Sequence, residues 1–224
     1  MDDLSRIILA SGSPRRQQLL RQVGIAHEVV VSGADETIVG PPDKQALALA
    51  LRKAKAVQGI VGGDAVIIAA DTLVYIDDKV LGKPDGPEDA YNMLKTLDGR
   101  CHTVYTGVAL VKGESVHSFV DAAKVYFRKL SDAEIWAYIG TGEPFDKAGA
   151  YGVQEKGALL VDRIDGDFFT VVGLPVAKLA VALAQIGVDV WQITDCTSCY
   201  SNGSGRSKIN IQKDTTNDQT RKST

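Results

Sequence analysis

The stretch Ile7-Ile8-Leu9-Ala10-Ser11-Gly12-Ser13-Pro14-Arg15-Arg16 decides the fold. Four apolar residues make a short buried strand, and Ser11-Gly12-Ser13 turns the chain. Ser13 is a favourable N-cap and Pro14 suits the first helical position, so a helix starts at once and stops near Gly24. Leu19, Leu20 and Val23 are its expected buried stripe. Strand, tight turn and helix in direct succession predict an α/β architecture, and the following residues keep the alternation. His27 to Ser32 reads as a strand. Asp43 to Val57 reads as a helix with Leu47, Ala50, Leu51 and Ala54 on one face. Ala65 to Ala70 is an unbroken β-rich run, the pattern of a strand covered on both sides.

Further along, Leu73 to Ile76 and Lys79 to Leu81 predict a hairpin about Asp77-Asp78. Pro87 to Leu97 is an expected helix stopped by Gly99. Two long strands are expected near 102–111 and 116–128, turning at Lys112-Gly113-Glu114. Ser131-Asp132-Ala133-Glu134 is a capping box that opens a helix ending near Gly140. Glu143 to Gly157 reads as a Gly-rich loop, too long to be a plain connector. A hairpin is expected near 158–172, turning at Asp165-Gly166, and Pro175 opens a last helix that closes at Gly187. Because hairpins interrupt the helix–strand alternation, the sheet is predicted to be mixed.

The chain has 224 residues, 45% of them hydrophobic and 24% charged, which suits one large globular domain or a compact two-lobed one. A net charge of -3 gives no field for holding a nucleic-acid backbone, so an anion site has to be a local cluster. The acidic start Met1-Asp2-Asp3 is unlike a signal peptide, and the longest helical apolar segment, Val176 to Ile186, is interrupted by Lys178. No membrane span is expected, and a cytoplasmic location is. Cys101, Cys196 and Cys199 make no disulfide framework; Cys196-x-x-Cys199 has metal or redox spacing but no second pair beside it. Residues 1–193 are expected to form the domain. Residues 194–224 change to Ser, Thr, Asn, Lys and Gly, a composition that predicts a disordered tail.

Four clusters could carry chemistry. A helix N-terminus attracts anions, and Arg15 and Arg16 in the first turn are locally unfavourable unless an anion compensates them; two solvated arginines are the plain alternative. Asp71, directly after the apolar run and before Thr72, is either a ligand-facing carboxylate at a strand end or a turn aspartate. Lys83 between Gly82 and Pro84, and Lys53 at the edge of its helix's apolar stripe, are either cleft cations or ordinary surface lysines. The loop 143–154 concentrates Glu143, Asp146, Lys147, glycines and Gln154, whose amide offers both a donor and an acceptor to the edge of a base. No Gly-x-x-x-x-Gly-Lys-Ser/Thr loop and no Gly-x-Ser-x-Gly elbow occur, and His27, His102 and His117 are scattered. These absences argue against P-loop, Ser–His–Asp and zinc-hydrolase chemistry.

Taken together, Ser11-Gly-Ser-Pro-Arg-Arg16, Ala70-Asp71-Thr72, Lys83-Pro84 and Glu143 to Gln154 resemble the Maf family of nucleotide pyrophosphatases over about residues 6–187. The resemblance implies an α/β, two-lobed, inosine-triphosphatase-like fold with a curved mixed sheet flanked by helices, a deep central cleft and often a homodimer. It also implies hydrolysis between the α- and β-phosphates with a divalent metal, Mg²⁺ or Mn²⁺. The run Asp146-Lys-Ala-Gly-Ala-Tyr-Gly-Val-Gln154 is similar to the branch acting on dTTP and UTP rather than the sister branch acting on 7-methyl-GTP. By the same likeness Arg15, Thr72 and Gln154 select the substrate and Asp71 is the proton acceptor. Gly82 before Lys83 and Glu155-Lys156 after Gln154 depart from the pattern. The expected site therefore has Ser11, Arg15, Arg16, Lys53 and Lys83 on the phosphates and Asp71 and Glu36 on the metal. A non-catalytic nucleotide-binding regulator of cell division, a pyrophosphatase of other base preference and a phosphomonoesterase are the competing expectations.

Overall fold

The computed structural model describes residues 6–31, 33–35, 37–62 and 65–191. Ser32, Glu36, the tail 194–224 with Cys196 and Cys199, and the expected boundary at 193 lie outside the described residues. Seven strands form one mixed sheet: β1 (Ile7–Leu9), β2 (Glu28–Val29), β3 (Val66–Ile76), β4 (Lys79–Leu81), β5 (Cys101–Lys112), β6 (Ser115–Phe127) and β7 (Val161–Asp165). Their order is β2-β1-β3-β5-β6-β7, with β4 also on β3. β1 is parallel to β2 and β3; all other pairs are antiparallel. The helices are α1 (Pro14–Gln22), α2 (Pro42–Val61), α3 (Pro87–Leu97), α4 (Asp132–Ile139), α5 (Phe168–Val172) and α6 (Val176–Gln185).

Strand alternation divides the core between two faces. Ile67 and Ala69 of β3 pack with Ala50, Ala54 and Val57 of α2. Ile68, Ala70 and Val74 point the other way, into the larger cluster with Leu20 of α1, Leu94 of α3, Ile135 of α4 and Leu179 of α6. The α2 contact line runs through Ala46, Leu49, Ala50, Ala54 and Val57; of the expected face Ala50 and Ala54 are buried in it, Leu51 packs half-buried against it, and Leu47 is half-buried outside it. Small residues win because the helix sits very close: a Cβ added to Gly107 of β5 would lie 2.3 Å from the Ala46 carbonyl oxygen. In α1, Leu19 and Leu20 are buried but Val23, at the C-cap, is exposed.

Several local signals act as expected. Asp77 and Asp78 both take positive φ (50° and 57°), the geometry of a tight hairpin turn between β3 and β4. Ser131 and Glu134 form the reciprocal capping box of α4. The expected second strand is shorter, only Glu28–Val29. The region 143–160 is not an open loop but a series of 3₁₀ turns, Glu143–Asp146, Ala148–Ala150 and Glu155–Leu160. No hairpin spans 158–172. β7 pairs with β6 instead, and Phe168–Val172 is helix despite its β-branched and aromatic residues. There the Asp167 side chain accepts the Phe169 N–H, and Gly173 at φ 117° closes the turn.

Candidate active site

The site is made by an interruption in one sheet edge. β5 pairs with β3 along Ile67 to Tyr75 and so occupies one edge of it. β1 and β4 share the other: β1 covers Val66 to Ile68 and β4 covers Val74 to Ile76. Ala69 to Leu73 therefore have no strand neighbour on that side among the described residues. β1 stops because Ser11-Gly12-Ser13 turns its chain into α1, and β4 stops because Gly82-Lys83-Pro84 leads away. A cavity of about 740 Å³ opens at the gap, within the range of small-molecule sites. Asp71 is thus mid-strand, not at a strand end as the sequence reading expected, because β5 holds the backbone extended straight through Asp71-Thr72.

Ser11, Arg15, Arg16, Lys53, Asp71, Thr72, Lys83 and Gln154 all line this one cavity. Eight of the nine residues expected from sequence are therefore brought together, and the ninth, Glu36, is outside the described residues. Alternation puts Asp71 and Thr72 on opposite faces of β3. On the α2 face, Lys53 Nζ donates to Asp71 Oδ1 at 2.6 Å, with both side chains nearly buried. The close seat of α2 on Gly107, the register partner of Asp71, brings the lysine within reach. The ion pair takes one carboxylate oxygen, and among the described residues Oδ2 makes no hydrogen bond.

On the other face, Arg16 is a strut. It donates from Nε to the Gly173 carbonyl (2.8 Å), from Nη1 to Ser11 Oγ (3.0 Å) and from Nη2 to Thr72 Oγ1 (3.0 Å). Ser11 Oγ also accepts the Ser13 N–H at 3.3 Å, while Ser13 itself makes no side-chain cap. The first turn of α1 carries no acid. Its N–H groups and dipole therefore face the cavity beside two arginines, a setting that favours an anion.

A third group closes the rim. Arg15 Nη1 pairs with Asp146 Oδ2 at 2.9 Å, and Lys147 Nζ donates to Asp146 Oδ1 (2.7 Å) and the Glu143 carbonyl (2.6 Å). The two cations hold Asp146 below the ordinary carboxylate range against the opposing effect of its partial burial. Glu143 is scaffold: its carboxylate accepts the Lys156 and Gly157 N–H groups at 3.3 and 3.2 Å. The Gly149 N–H donates to the Gly82 carbonyl at 2.9 Å, tying this region to the segment that carries Lys83. Behind the cavity wall, Tyr151 Oη meets His102 Nε2 at 2.6 Å. Burial lowers the His102 pKa from 6.5 to about 4.

The sequence reading missed Thr106, Thr170, Asp121 and Gly107, which support the site from β5, β6 and α5. No local motif marks them, since each meets its partner only across the folded sheet. Among the described residues no cluster of three His, Cys, Asp or Glu side chains could hold a metal alone. The Asp71 carboxylate is nonetheless a hard oxygen donor beside a space for phosphates. That suits a Mg²⁺-like cation, which binds through one or two carboxylates and the substrate's own oxygens.

Fold and site define an α/β protein with a cation-lined cleft at a broken sheet edge, holding one lysine-paired aspartate. The chain belongs to the Maf-like protein family, whose model matches residues 6–186. It is 50% identical over 192 residues to the dTTP/UTP pyrophosphatase of Moorella thermoacetica, covering 84% of this chain and 98% of that one. The proteins of the same name from Caldicellulosiruptor saccharolyticus and Bacillus cereus (strain ATCC 14579) are 45% and 44% identical, with the same coverage. A solved structure of the Staphylococcus aureus Ham1 protein aligns at TM-score 0.42 and 12% identity, over 55% of this chain and 72% of that one, a likeness too slight to carry weight.

Proposed function

We propose that this chain is a nucleoside triphosphate pyrophosphatase that hydrolyses dTTP and UTP to the monophosphate and pyrophosphate. The observation that carries the reading is Asp71 itself: nearly buried, held by Lys53, and set on the bare edge of β3 inside a cavity rich in cations. The curated relatives named for this activity support it over nearly their whole length.

The triphosphate enters with several negative charges, and Arg15, Lys53, Lys83, Ser11 and the α1 N-terminus are the donors that receive it. Arg16 holds Ser11 and Thr72 in place. Asp71 Oδ2 accepts a proton from a water as its oxygen attacks the α-phosphorus. The bond from that phosphorus to the bridging oxygen breaks, and pyrophosphate leaves in line. Lys53 keeps the carboxylate oriented for that transfer. A bound Mg²⁺ or Mn²⁺, held by Asp71 and Glu36 with phosphate oxygens, would supply charge neutralisation.

Arg15, Thr72 and Gln154 line the same cavity, and on this reading they select the substrate, Gln154 by meeting the edge of the base. No helix among the described residues is long and apolar enough to cross a membrane. A cytoplasmic location and a homodimer, which light scattering on the purified chain would detect, belong to the same reading.

The test is product analysis with dTTP, UTP, 7-methyl-GTP and ATP, each with Mg²⁺ and with Mn²⁺. Pyrophosphate and monophosphate from dTTP and UTP are expected. Orthophosphate as the first product, or binding without turnover, would replace this reading with a phosphomonoesterase or a nucleotide-binding regulator.

A further inference from the structure

A row of polar side chains crosses the sheet behind the cavity and ends on α5. Thr72, Thr106 and Asp121 are successive register partners on β3, β5 and β6, so their side chains share one face. Thr170 of α5, fully buried, is pinned on that row at two points. Its carbonyl accepts the Thr106 hydroxyl at 2.8 Å, and its own hydroxyl donates to Asp121 Oδ2 at 2.6 Å. The other Asp121 oxygen takes Lys178 Nζ of α6 at 2.6 Å and the Ala122 N–H at 3.0 Å. Five residues do not hold a helix by themselves, so the seat of α5 is set by what it touches. Val172 and Leu174 bury it without fixing its direction; the two hydrogen bonds fix that.

That seat matters because the last turn of α5 reaches the site. The Gly173 carbonyl accepts Arg16 Nε at 2.8 Å, and a Cβ added to Gly173 would meet Thr72 Oγ1 at 3.2 Å. Arg16 in turn donates from Nη1 to Ser11 Oγ at 3.0 Å, and the Ser13 N–H donates to the same oxygen at 3.3 Å. A guanidinium and a backbone amide only donate, so both lone pairs of the Ser11 oxygen are filled. What is left is its proton, on a side chain that lines the cavity beside the start of α1. Toward a ligand Ser11 is a donor and nothing else, which suits a phosphate oxygen.

We propose that Thr170 is a positioning residue for phosphate binding: held by Asp121 and Thr106, it sets the Gly173 carbonyl that aims Arg16, and Arg16 keeps Ser11 a donor. Thr170 is not among the residues that line the cavity, so it acts on a substrate only through others. Without its hydroxyl the end of α5 is less firmly seated, Arg16 loses a fixed anchor, and the Ser11 hydroxyl is released to turn.

This inference rests on the pyrophosphatase reading and on Ser11 meeting the phosphates, and its test separates them. KM and kcat for dTTP are measured for the wild type, Thr170→Val, Thr170→Ser, Ser11→Ala and the Ser11→Ala/Thr170→Val double variant. Thr170→Val keeps the volume and loses the hydroxyl. Its KM should rise about fivefold, the size of one ordinary hydrogen bond, with kcat within about twofold of wild type. Thr170→Ser keeps the hydroxyl and should keep KM within about twofold. In the Ser11→Ala background, Thr170→Val should add less than about a further twofold, because the group it acts through is already gone. Pyrophosphate affinity by calorimetry should fall in step with the rise in KM. If Thr170→Val does not fold, Asp121→Ala cuts the same hydrogen bond from the other side and carries the same expectations. A loss in kcat with KM unchanged would mean fewer folded molecules, and an undiminished loss on top of Ser11→Ala would mean a route that bypasses Ser11. Either result, or a wild-type KM in Thr170→Val, overturns the proposal while leaving pyrophosphate release intact. No pyrophosphate from dTTP in the wild type overturns the underlying activity instead, and the calorimetric comparison then still decides the role of Thr170.

Discussion

Asp71 is the residue on which the proposed chemistry turns, and its neighbours show how it is held. One oxygen is fixed by Lys53, and among the described residues the other makes no hydrogen bond. Asp71→Asn preserves size and an acceptor for the lysine, so circular dichroism and melting should stay close to wild type. Turnover of dTTP should fall by ~10²–10⁴-fold, the usual effect of removing a general base. A variant that kept more than a tenth of the wild-type rate would show that another group takes the proton. The residue type was legible from the apolar run before it. Its position was not: Asp71-Thr72 interrupts the hydrophobic pattern and reads as a strand end, whereas continuous pairing with β5 carries the strand through. Arg15, Arg16 and Lys53 were legible as cations near a cleft. Their protein partners were not, because Asp146, Gly173 and Asp71 lie far away in sequence.

At the scale of elements, the distance between α2 and the sheet sets the Lys53–Asp71 pair. Gly107 permits that distance, since any larger residue would press on the Ala46 backbone. Gly107→Ala should push α2 outward, costing about 1–3 kcal/mol as an overpacked core does. It should also lower kcat on dTTP by more than Asp71-independent substitutions of equal stability cost, because the lysine retreats from the carboxylate. Urea melts beside kinetics, with a core variant elsewhere as control, separate the two effects. A variant with wild-type stability and rate would remove Gly107 from the account. Elements with strong local signals, such as the capping box of α4 and the Asp77-Asp78 turn, were legible. α5 was not, because Phe-Phe-Thr-Val-Val has strand composition and only the Asp167 cap and Gly173 reveal a helix.

Across the whole molecule, the sheet joins two cores, and the cavity opens where its edge is broken. His102 ties β5 to Tyr151 at the cavity wall and is kept neutral by burial, its pKa lowered from 6.5 to about 4. The unfolded chain takes up that proton near pH 6.5 and the folded chain only near pH 4. Stability from this group is therefore complete above about pH 6.5 and is lost as pH falls toward 4. At ~1.4 kcal/mol per pKa unit the loss is about 3 kcal/mol. Melting from pH 7.5 to 4 should show it, and His102→Gln should flatten the slope over that window. An unchanged slope in His102→Gln would assign the acid sensitivity to other groups. The family-level architecture was legible because the motifs of all four clusters fall in one order along the chain. How β1 and β4 divide one edge of β3 was not, since that depends on pairing between distant segments.

Attack of an Asp71-activated water on the α-phosphorus leaves an isotopic record when dTTP is hydrolysed in ¹⁸O-labelled water. One ¹⁸O is expected in the thymidine monophosphate and none in the pyrophosphate, with no labelled product from Asp71→Asn on the same timescale. Label in the pyrophosphate, or in released orthophosphate, would mean attack at another phosphorus and would contradict the placement of Asp71 at the α-phosphate.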